Sequence, residues 1–549
     1  MFVDRFEIGS EKDGRIIEKR PPNLKLFPNM SSKTVVIIGA GPAGLTAGYQ
    51  LLRADRNCRV VILEESGVVG GLSRTVFHNG NRMDIGGHRF FSKDPDVNVL
   101  WQELMPLQGQ PSFDDRILAR ETKLSPNGPD PEKEDRVMLV RKRVSRIYYN
   151  KLFFDYPIRM NANTVFNMGL GTTFVAGMSY MKAVMRKLPE SSLENFYINR
   201  FGRKLYSMFF EGYTEKLWGR HPRAISADWG AQRVKGLSVL AVIADIVRRI
   251  LPGKTANGRK VETSLIDEFH YPKYGPGQLW ETTADEIRRM GGEILFNRKV
   301  VAVKTEKGRV RSVVCQTENG PVSLDCDILV SSMPIKDLVG GMNDVPPEVA
   351  SIAAGLPYRD FVAVGLLVRK LALKNETKLK TLRDLIPDCW IYVQDTGVKL
   401  GRIQIFNNWS PYMVKDPENT VWLGLEYFCS EGDELWSMDD EAWKRLGISE
   451  LVRIGVLDAG EPISDVLVEK VRKAYPAYFD TYEHIDKLVD YLNSIRNLFC
   501  IGRNGQHRYN NMDHSMVTAF EAVKCILADS SDDKSAIWNV NTEKEYPEG

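Results

Sequence analysis

Cysteine is sparse and scattered in this chain. Seven occur in 549 residues, at Cys58, Cys315, Cys326, Cys389, Cys429, Cys500 and Cys525. No two form a Cys-x-x-Cys pair, and none is spaced with histidine as in a zinc knuckle, so no metal site is expected. An odd, dispersed set also argues against a disulfide framework and for a reducing compartment, so a cytoplasmic location is expected. An excess of one charge is missing too. With 74 Lys+Arg against 71 Asp+Glu, the net charge is +3, which argues against a grip on a nucleic acid polymer. Long apolar runs are absent. The longest uncharged stretch, Met160 to Met181, is interrupted by Asn161, Asn163, Asn167, Gly169, Gly171 and Gly177. It points to a buried or interfacial helix, and no transmembrane segment is expected. Residues 1–32 lack the apolar centre of a secretory leader and read as an N-terminal extension. No internal repeat, low-complexity tract or Ser/His/Asp nucleophile pattern is present.

What is present suits a large folded protein. At 43% hydrophobic residues, a chain of this length can build several cores. Thr34–Ile38 and Arg59–Leu63 are short apolar strands that flank a helical pattern from Pro42 to about Arg53. Neither strand alternates with polar residues, as is typical of parallel strands buried on both faces. Residues 110–145 are polar and read as loop plus a short hairpin, and Arg141 to Arg143 read as a solvated basic face. Residues 160–250 read mostly as helix, with an apolar run from Leu237 to Ile243, and 253–262 as a basic linker. Strands are expected within 292–303, 310–316 and 328–331, and again within 361–368, 390–393 and 420–427. Helices are expected at 440–457 and 513–528.

Between the first strand and the first helix stands Gly39-Ala40-Gly41-Pro42-Ala43-Gly44. The first glycine permits a tight turn, the second lets a pyrophosphate approach the backbone, and the third lets helix and strand pack closely. Three glycines so spaced would arise by chance roughly 0.3 times in a chain of this glycine content, so the spacing alone is weak. Context strengthens it. The free N–H groups of the helix start suit phosphate. Glu64 ends the next strand, placed to take ribose hydroxyls. A dinucleotide cofactor is expected.

Further glycine clusters follow, at Gly70-Gly71-Leu72-Ser73-Arg74 and Asp84-Ile85-Gly86-Gly87-His88. With the later stretches 292–295, 327–334 and Leu498-Phe499-Cys500-Ile501-Gly502-Arg503, the sequence resembles the glutathione-reductase-type FAD fold. The branch it resembles holds amine oxidases, protoporphyrinogen oxidase, phytoene desaturase and UDP-galactopyranose mutase. The motifs run from residue 34 to about 527, and no second Gly-x-Gly-x-x-Gly follows a strand, so no NAD(P)H domain is expected. The resemblance implies an α/β chain with a Rossmann-like FAD-binding fold, a mixed β-rich substrate domain and a helical subdomain. It implies FAD held by Gly39, Gly41, Ala43, Gly44, Glu64, Glu65, Gly71, Leu72 and Ser73. Gly86, Gly87, His88, Val300, Gly502, Arg503 and Met512 complete the cofactor set.

Within the branch, the motifs are most similar to those of UDP-galactopyranose mutase. The stretch Gly86 to Ser92 resembles its flavin-side glycine–histidine segment. Tyr213-Thr214-Glu215-Lys216-Leu217-Trp218-Gly219 resembles its substrate-domain signature. The resemblance implies substrate contacts at Tyr213, Trp218, Arg233, Tyr475, Arg503 and Tyr509, with a diphosphate near Arg503 and Tyr509. By position, His88 and Tyr509 are the candidate catalytic residues. The sequence departs from the mutase in two places. Phe91 stands where that family has a second histidine, and the stretch Trp409 to Val414 lacks its second diphosphate arginine. The leading expectation is therefore an FAD-dependent oxidoreductase passing hydride from a substrate to the flavin, with a nucleotide sugar or other phosphorylated substrate. A non-redox mutase acting on a nucleotide sugar is the alternative, and a non-catalytic flavin-bound assembly protein a further one. A homo-oligomer is possible on either reading. The FAD domain is expected from residues 33–110, 265–345 and 490–530, a helical subdomain from 111–264 and a β-rich substrate domain from 346–489, with a C-terminal tail at 531–549.

Overall fold

In Thr34–Ile38 and Arg59–Leu63, every residue after the first is buried. They form the centre of a five-stranded parallel sheet. Its order is Leu498–Cys500, Ile328–Ser331, Thr34–Ile38, Arg59–Leu63, Glu293–Leu295. Successive side chains point to opposite faces. Val35, Ile37, Val60 and Ile62 pack under the helices Pro42–Ala54, Pro276–Arg289 and Met512–Leu527. Val36, Ile38, Val61 and Leu63 pack against the antiparallel three-stranded sheet of Lys299–Glu306, Arg309–Thr317 and Gly320–Asp325. The computed structural model describes residues 33–55, 58–158, 162–227, 268–528 and 533–541. The extension at 1–32, the apolar run at 237–243, the linker at 253–262 and Arg233 lie outside the described residues.

A second, seven-stranded sheet runs Ile463–Pro476, Tyr358–Val368, Val421–Cys429, Arg402–Ile405, Trp390–Val393, Ser145–Tyr149, Leu152–Asp155. All its pairings are antiparallel except that of Trp390–Val393 with Ser145–Tyr149. One face, with Val362, Val364 and Leu366, packs on the helix Asp440–Ile454 through Trp443 and Leu451. The other face, with Phe361 and Ala363, meets an aromatic core shared with the helices Leu193–Phe209 and Glu211–Trp218.

Three stretches differ from the sequence reading. Residues 110–145 are more than loop and a hairpin of their own: they hold a short helix, Phe113–Leu118, and the local hairpin in the neighbourhood only begins at Ser145. Met138–Lys142 pairs with the distant Glu268–Pro272, and Ser145–Tyr149 with Leu152–Asp155 extends the seven-stranded sheet. Arg141 is not solvated: it is buried, and its guanidinium forks onto Asp114 at 3.1 and 2.8 Å. The two charges compensate one another, which is how a buried arginine is tolerated. In the C-terminal stretch, residues 533–541 dock on the body, where Ile537 is buried and Arg508 donates to the carbonyls of Trp538 and Val540.

Candidate active site

The cofactor cradle begins at the end of Thr34–Ile38. Gly39 has φ +97°, and a Cβ there would lie 2.3 Å from Ser332 Oγ. A Cβ on Gly44 would lie 1.9 Å from the Gly39 carbonyl oxygen, so only glycine lets the helix start close on the strand. The Gly70–Gly71 turn comes up against the same point. Gly70 N–H donates to Ala40 O at 2.8 Å, and a Cβ on Gly71 would stand 3.2 Å from Gly41 Cα. Gly502, with φ +75°, closes the third side, its N–H held by Thr518 Oγ1 at 2.8 Å. Glu64 is buried. Its Oε2 accepts from Ala40 N–H at 2.8 Å, and its Oε1 from Ser66 N–H and Oγ at 3.0 and 2.8 Å. Among the described residues no cation pairs with this carboxylate, which leaves lone pairs for hydroxyl donors. Three backbone loops stripped of Cβ atoms, with an unpaired acid at the strand end, fit the pyrophosphate and ribose of FAD.

The reacting side is built where the Gly86–Arg89 loop meets the seven-stranded sheet. Asp84 anchors the loop, taking hydrogen bonds from Thr75 Oγ1 at 2.8 Å and from the Tyr271 hydroxyl. Burial pushes its carboxyl up to about 7. A Cβ on Gly87 would strike the Trp390 ring at 2.3 Å, so the loop lies flat on that indole. His88 Nδ1 is 2.9 Å from Gly86 O. A carbonyl only accepts, so Nδ1 carries the proton and Nε2 presents a lone pair. Burial draws the imidazole down to about 4, and the nearby Arg503 adds to this. It is therefore neutral at pH 7.

Beyond the loop stands an aromatic wall. Trp390 and Tyr392, two apart on one strand, face the same way and stack at 5.8 Å, and Tyr392 stacks on Tyr156 at 4.1 Å. Arg402 is the centre of the wall. Its Nε donates to Tyr213 Oη at 2.7 Å, and its Nη1 to Tyr475 Oη at 3.0 Å and Glu426 Oε2 at 3.1 Å. Burial alone would lower its pKa. Tyr213, Tyr475 and Glu426 outweigh that and hold it well above the ordinary arginine value. Gln404 steadies the other Glu426 oxygen at 3.0 Å. Several polar atoms on this wall are buried without a hydrogen-bond partner among the described residues. They are Trp390 Nε1, Gln404 Oε1, and Nε and Nη1 of Arg143. Arg143 lies near enough to Arg89, Tyr392 and Tyr156 to feel their charges, and burial, with the like charge of Arg89, draws its pKa down to about 10.

The substrate residues read from the sequence fall unevenly. Tyr213, Tyr475 and Tyr509 converge: Tyr213 and Tyr475 share Arg402, and Tyr475 stacks on Tyr509 at 5.8 Å. Trp218 is only 2% exposed and stands edge-on to Tyr475 and Phe479, packed in the core. Its motif neighbours have fold duties. Lys216 Nζ donates to the carbonyls of Val393, Asp395 and Leu400, and Gly219 caps the helix at φ +66°. Arg503 spends Nε on Ala474 O and Nη1 on Asn510 O, and its guanidinium lies 3.9 Å over the Tyr509 ring. Of the cofactor set, Ala43, Ser73 and Met512 are buried, Leu72 is half-buried and Glu65 exposed. Val300 is buried in the core behind Leu63 and Val36. Arg402, Gln404, Trp390, Tyr392, Arg143 and Tyr156 were not named from sequence as site residues. The signal for Arg402 and Gln404 is alternation: Arg402-Ile403-Gln404-Ile405 puts two polar groups on one face of a strand buried throughout. Among the described residues no His, Cys, Asp and Glu side chains gather as a metal-holding group.

Comparison with known proteins gives the family. The family model described as flavin containing amine oxidoreductase matches residues 42–510. The chain is 37% identical over 499 residues to protoporphyrinogen oxidase 2, chloroplastic/mitochondrial, of Arabidopsis thaliana, covering 86% of this chain and 90% of that protein. Among solved structures, reduced UDP-galactopyranose mutase superposes with a TM-score of 0.71 at 20% identity, over 94% of this chain and 100% of the other. A triple mutant of putrescine oxidase superposes with a TM-score of 0.55 at 14% identity, over 90% and 99%. At those identities the structural likeness is one of fold. With the family match over most of its length and a glycine cradle suited to its cofactor, the chain belongs to the flavin containing amine oxidoreductases and is an FAD-dependent oxidoreductase.

Proposed function

We propose that the chain oxidises a small molecule bearing a phosphate or carboxylate, a nucleotide sugar or other phosphorylated compound foremost, held on the aromatic wall with its anion at Arg143. The observation that carries this reading is the Arg143 guanidinium, whose buried Nε and Nη1 have no hydrogen-bond partner among the described residues. Buried polar groups are normally satisfied, and a planar arginine fork matches the oxygens of such anions. Bound in the cradle, FAD supplies the acceptor for hydride from a substrate C–H bond. The protein's part is position and exclusion of water. Trp390 and Tyr392 offer flat faces, and Arg402, tied to three partners, keeps that wall rigid. His88 offers Nε2 to a substrate hydroxyl or amine, and as a weak base it takes the departing proton only as the substrate loses its electrons. The porphyrinogen named for the plant relative is a further candidate substrate.

A second reading, isomerisation of a nucleotide sugar without net redox change, is favoured by the convergence of Tyr213, Tyr475 and Tyr509. One experiment separates the two. Purified yellow protein is titrated anaerobically with nucleotide sugars and with protoporphyrinogen, in oxidised and in dithionite-reduced form. Bleaching of the oxidised flavin by one compound supports oxidation. Turnover seen only in the reduced form, with no loss of electrons, replaces it with the second reading. For the compound that reacts, Arg143→Ala should raise KM by about ten- to a hundredfold with little change in kcat, the size of one or two charge-assisted hydrogen bonds. An unchanged KM removes the anion from Arg143.

A further inference from the structure

The helices Ala162–Met168 and Leu170–Met185 are built inside out. Leu170, Phe174, Met178, Met181 and Met185 are 54% to 82% exposed, and Phe166 on the preceding helix is 84% exposed. At about 100° per residue, those five positions fall within an arc of about 80°. The opposite face carries the buried residues Ala176, Tyr180 and Ala183. They are mostly small because the neighbouring helix comes in close there: a Cβ on Gly202 would lie 2.7 Å from Tyr180 N. A helix serving only a protein core buries its large apolar side chains and exposes polar ones. This one shows water a strip about 24 Å long of Leu, Phe and Met. Single exposed apolar residues need no explanation, but a continuous strip does.

The charges beside the strip say what covers it. From Tyr156 to Pro189 the sequence has no Asp or Glu, while Lys182, Arg186 and Lys187 are exposed at the C-terminal end of the helix. In a symmetric pair of chains the same patch meets itself, and a patch without Asp or Glu offers these cations no anion. An anionic lipid surface supplies both things the strip lacks, an apolar interior for the Phe and Met side chains and negative headgroups for the cations. We infer that this face seats the protein on an anionic membrane surface, lying in the interface without crossing it. No helix among the described residues is long and apolar enough to cross a membrane. The inference stands independently of the substrate.

The test is vesicle co-sedimentation of the full-length flavoprotein, with phosphatidylcholine alone and with added phosphatidylglycerol, at low and high salt. The expected result is pelleting with the anionic vesicles, weakened by salt, and a fall of at least about tenfold in partitioning for the Phe174→Glu/Met178→Glu variant. The variant's flavin spectrum, unchanged because both positions face water, shows that it is folded. Failure of the parent protein to bind anionic vesicles at low salt overturns the inference, as does undiminished binding by the folded variant. If light scattering finds a dimer that the variant converts to monomer while vesicles are ignored, the strip joins two copies and the membrane assignment falls.

Discussion

His507 has no contact with water, and only one of its ring nitrogens has a partner: Nε2 lies 3.0 Å from Ala477 O, while Nδ1 has none among the described residues. Burial holds its pKa down at about 4, against about 6.5 for a free imidazole. Below pH 6.5 the unfolded chain takes up a proton that the folded chain refuses until about pH 4. Stability from this group is therefore intact above 6.5 and falls as the pH drops through that window, by roughly 3 kcal/mol in all. His88, drawn down to about 4 as well, acts in the same direction over the same window. His507→Gln, which keeps an N–H able to reach Ala477 O, should flatten the acid limb of a Tm-against-pH curve between pH 6.5 and 4. A limb of unchanged slope would mean that His507 is not its source. At this scale the sequence was informative where chemistry follows from spacing. Gly39 makes the tight turn and Gly44 the close packing of helix on strand that their interval implies, and Glu64 follows directly on the second strand. The sequence reading set Arg143 on a solvated basic face, where the structure buries Nε and Nη1 of its guanidinium, and it took Trp218 for a substrate contact, where the structure packs it in the core.

The strands Arg402–Ile405 and Val421–Cys429 are buried at every position, yet they carry Arg402 directly opposite Glu426. Neither charge has water to fall back on. Removing one leaves the other stranded, at a cost of about 3–5 kcal/mol, while replacing both with neutral groups avoids most of that cost. Arg402→Met should lower the denaturation midpoint sharply, and Arg402→Met/Glu426→Gln should recover most of the loss. Equal losses in the two variants would show that the pair matters only through packing. The element scale also explains what the sequence hid. Val421–Cys429 reads as a strand from its apolar run. Arg402–Ile405 does not, because its alternation lasts only 4 residues, and Ile463–Pro476 does not, because it lies at the sheet edge and carries Asp465, Glu469, Lys470 and Arg472. The strand Met138–Lys142 takes its partner from residues 268–272, and a pairing of that range leaves no local mark.

Across the whole molecule, the parallel sheet draws its strands from residues 34–63, 293–331 and 498–500, and Gly502 completes the cradle from the far end of the chain. The helix Met512–Leu527 then covers Pro42–Ala54. A chain ending at residue 490 loses the edge strand, the third loop of the cradle and that covering helix together. It should purify colourless, while the full chain purifies yellow, and flavin absorbance per protein is the measurement. A yellow truncated protein would place the cofactor's hold entirely in the first two loops.

The same layout sets a timetable. At about 5–20 residues per second, a ribosome delivers Leu498 roughly 8 to 33 seconds after Ser331. Through that interval Ile328–Ser331 is an apolar edge with nothing beside it, the kind of edge that recruits strands from other chains. The newborn protein therefore depends on being shielded until its last tenth emerges, and loading with cofactor is an event of the finished chain.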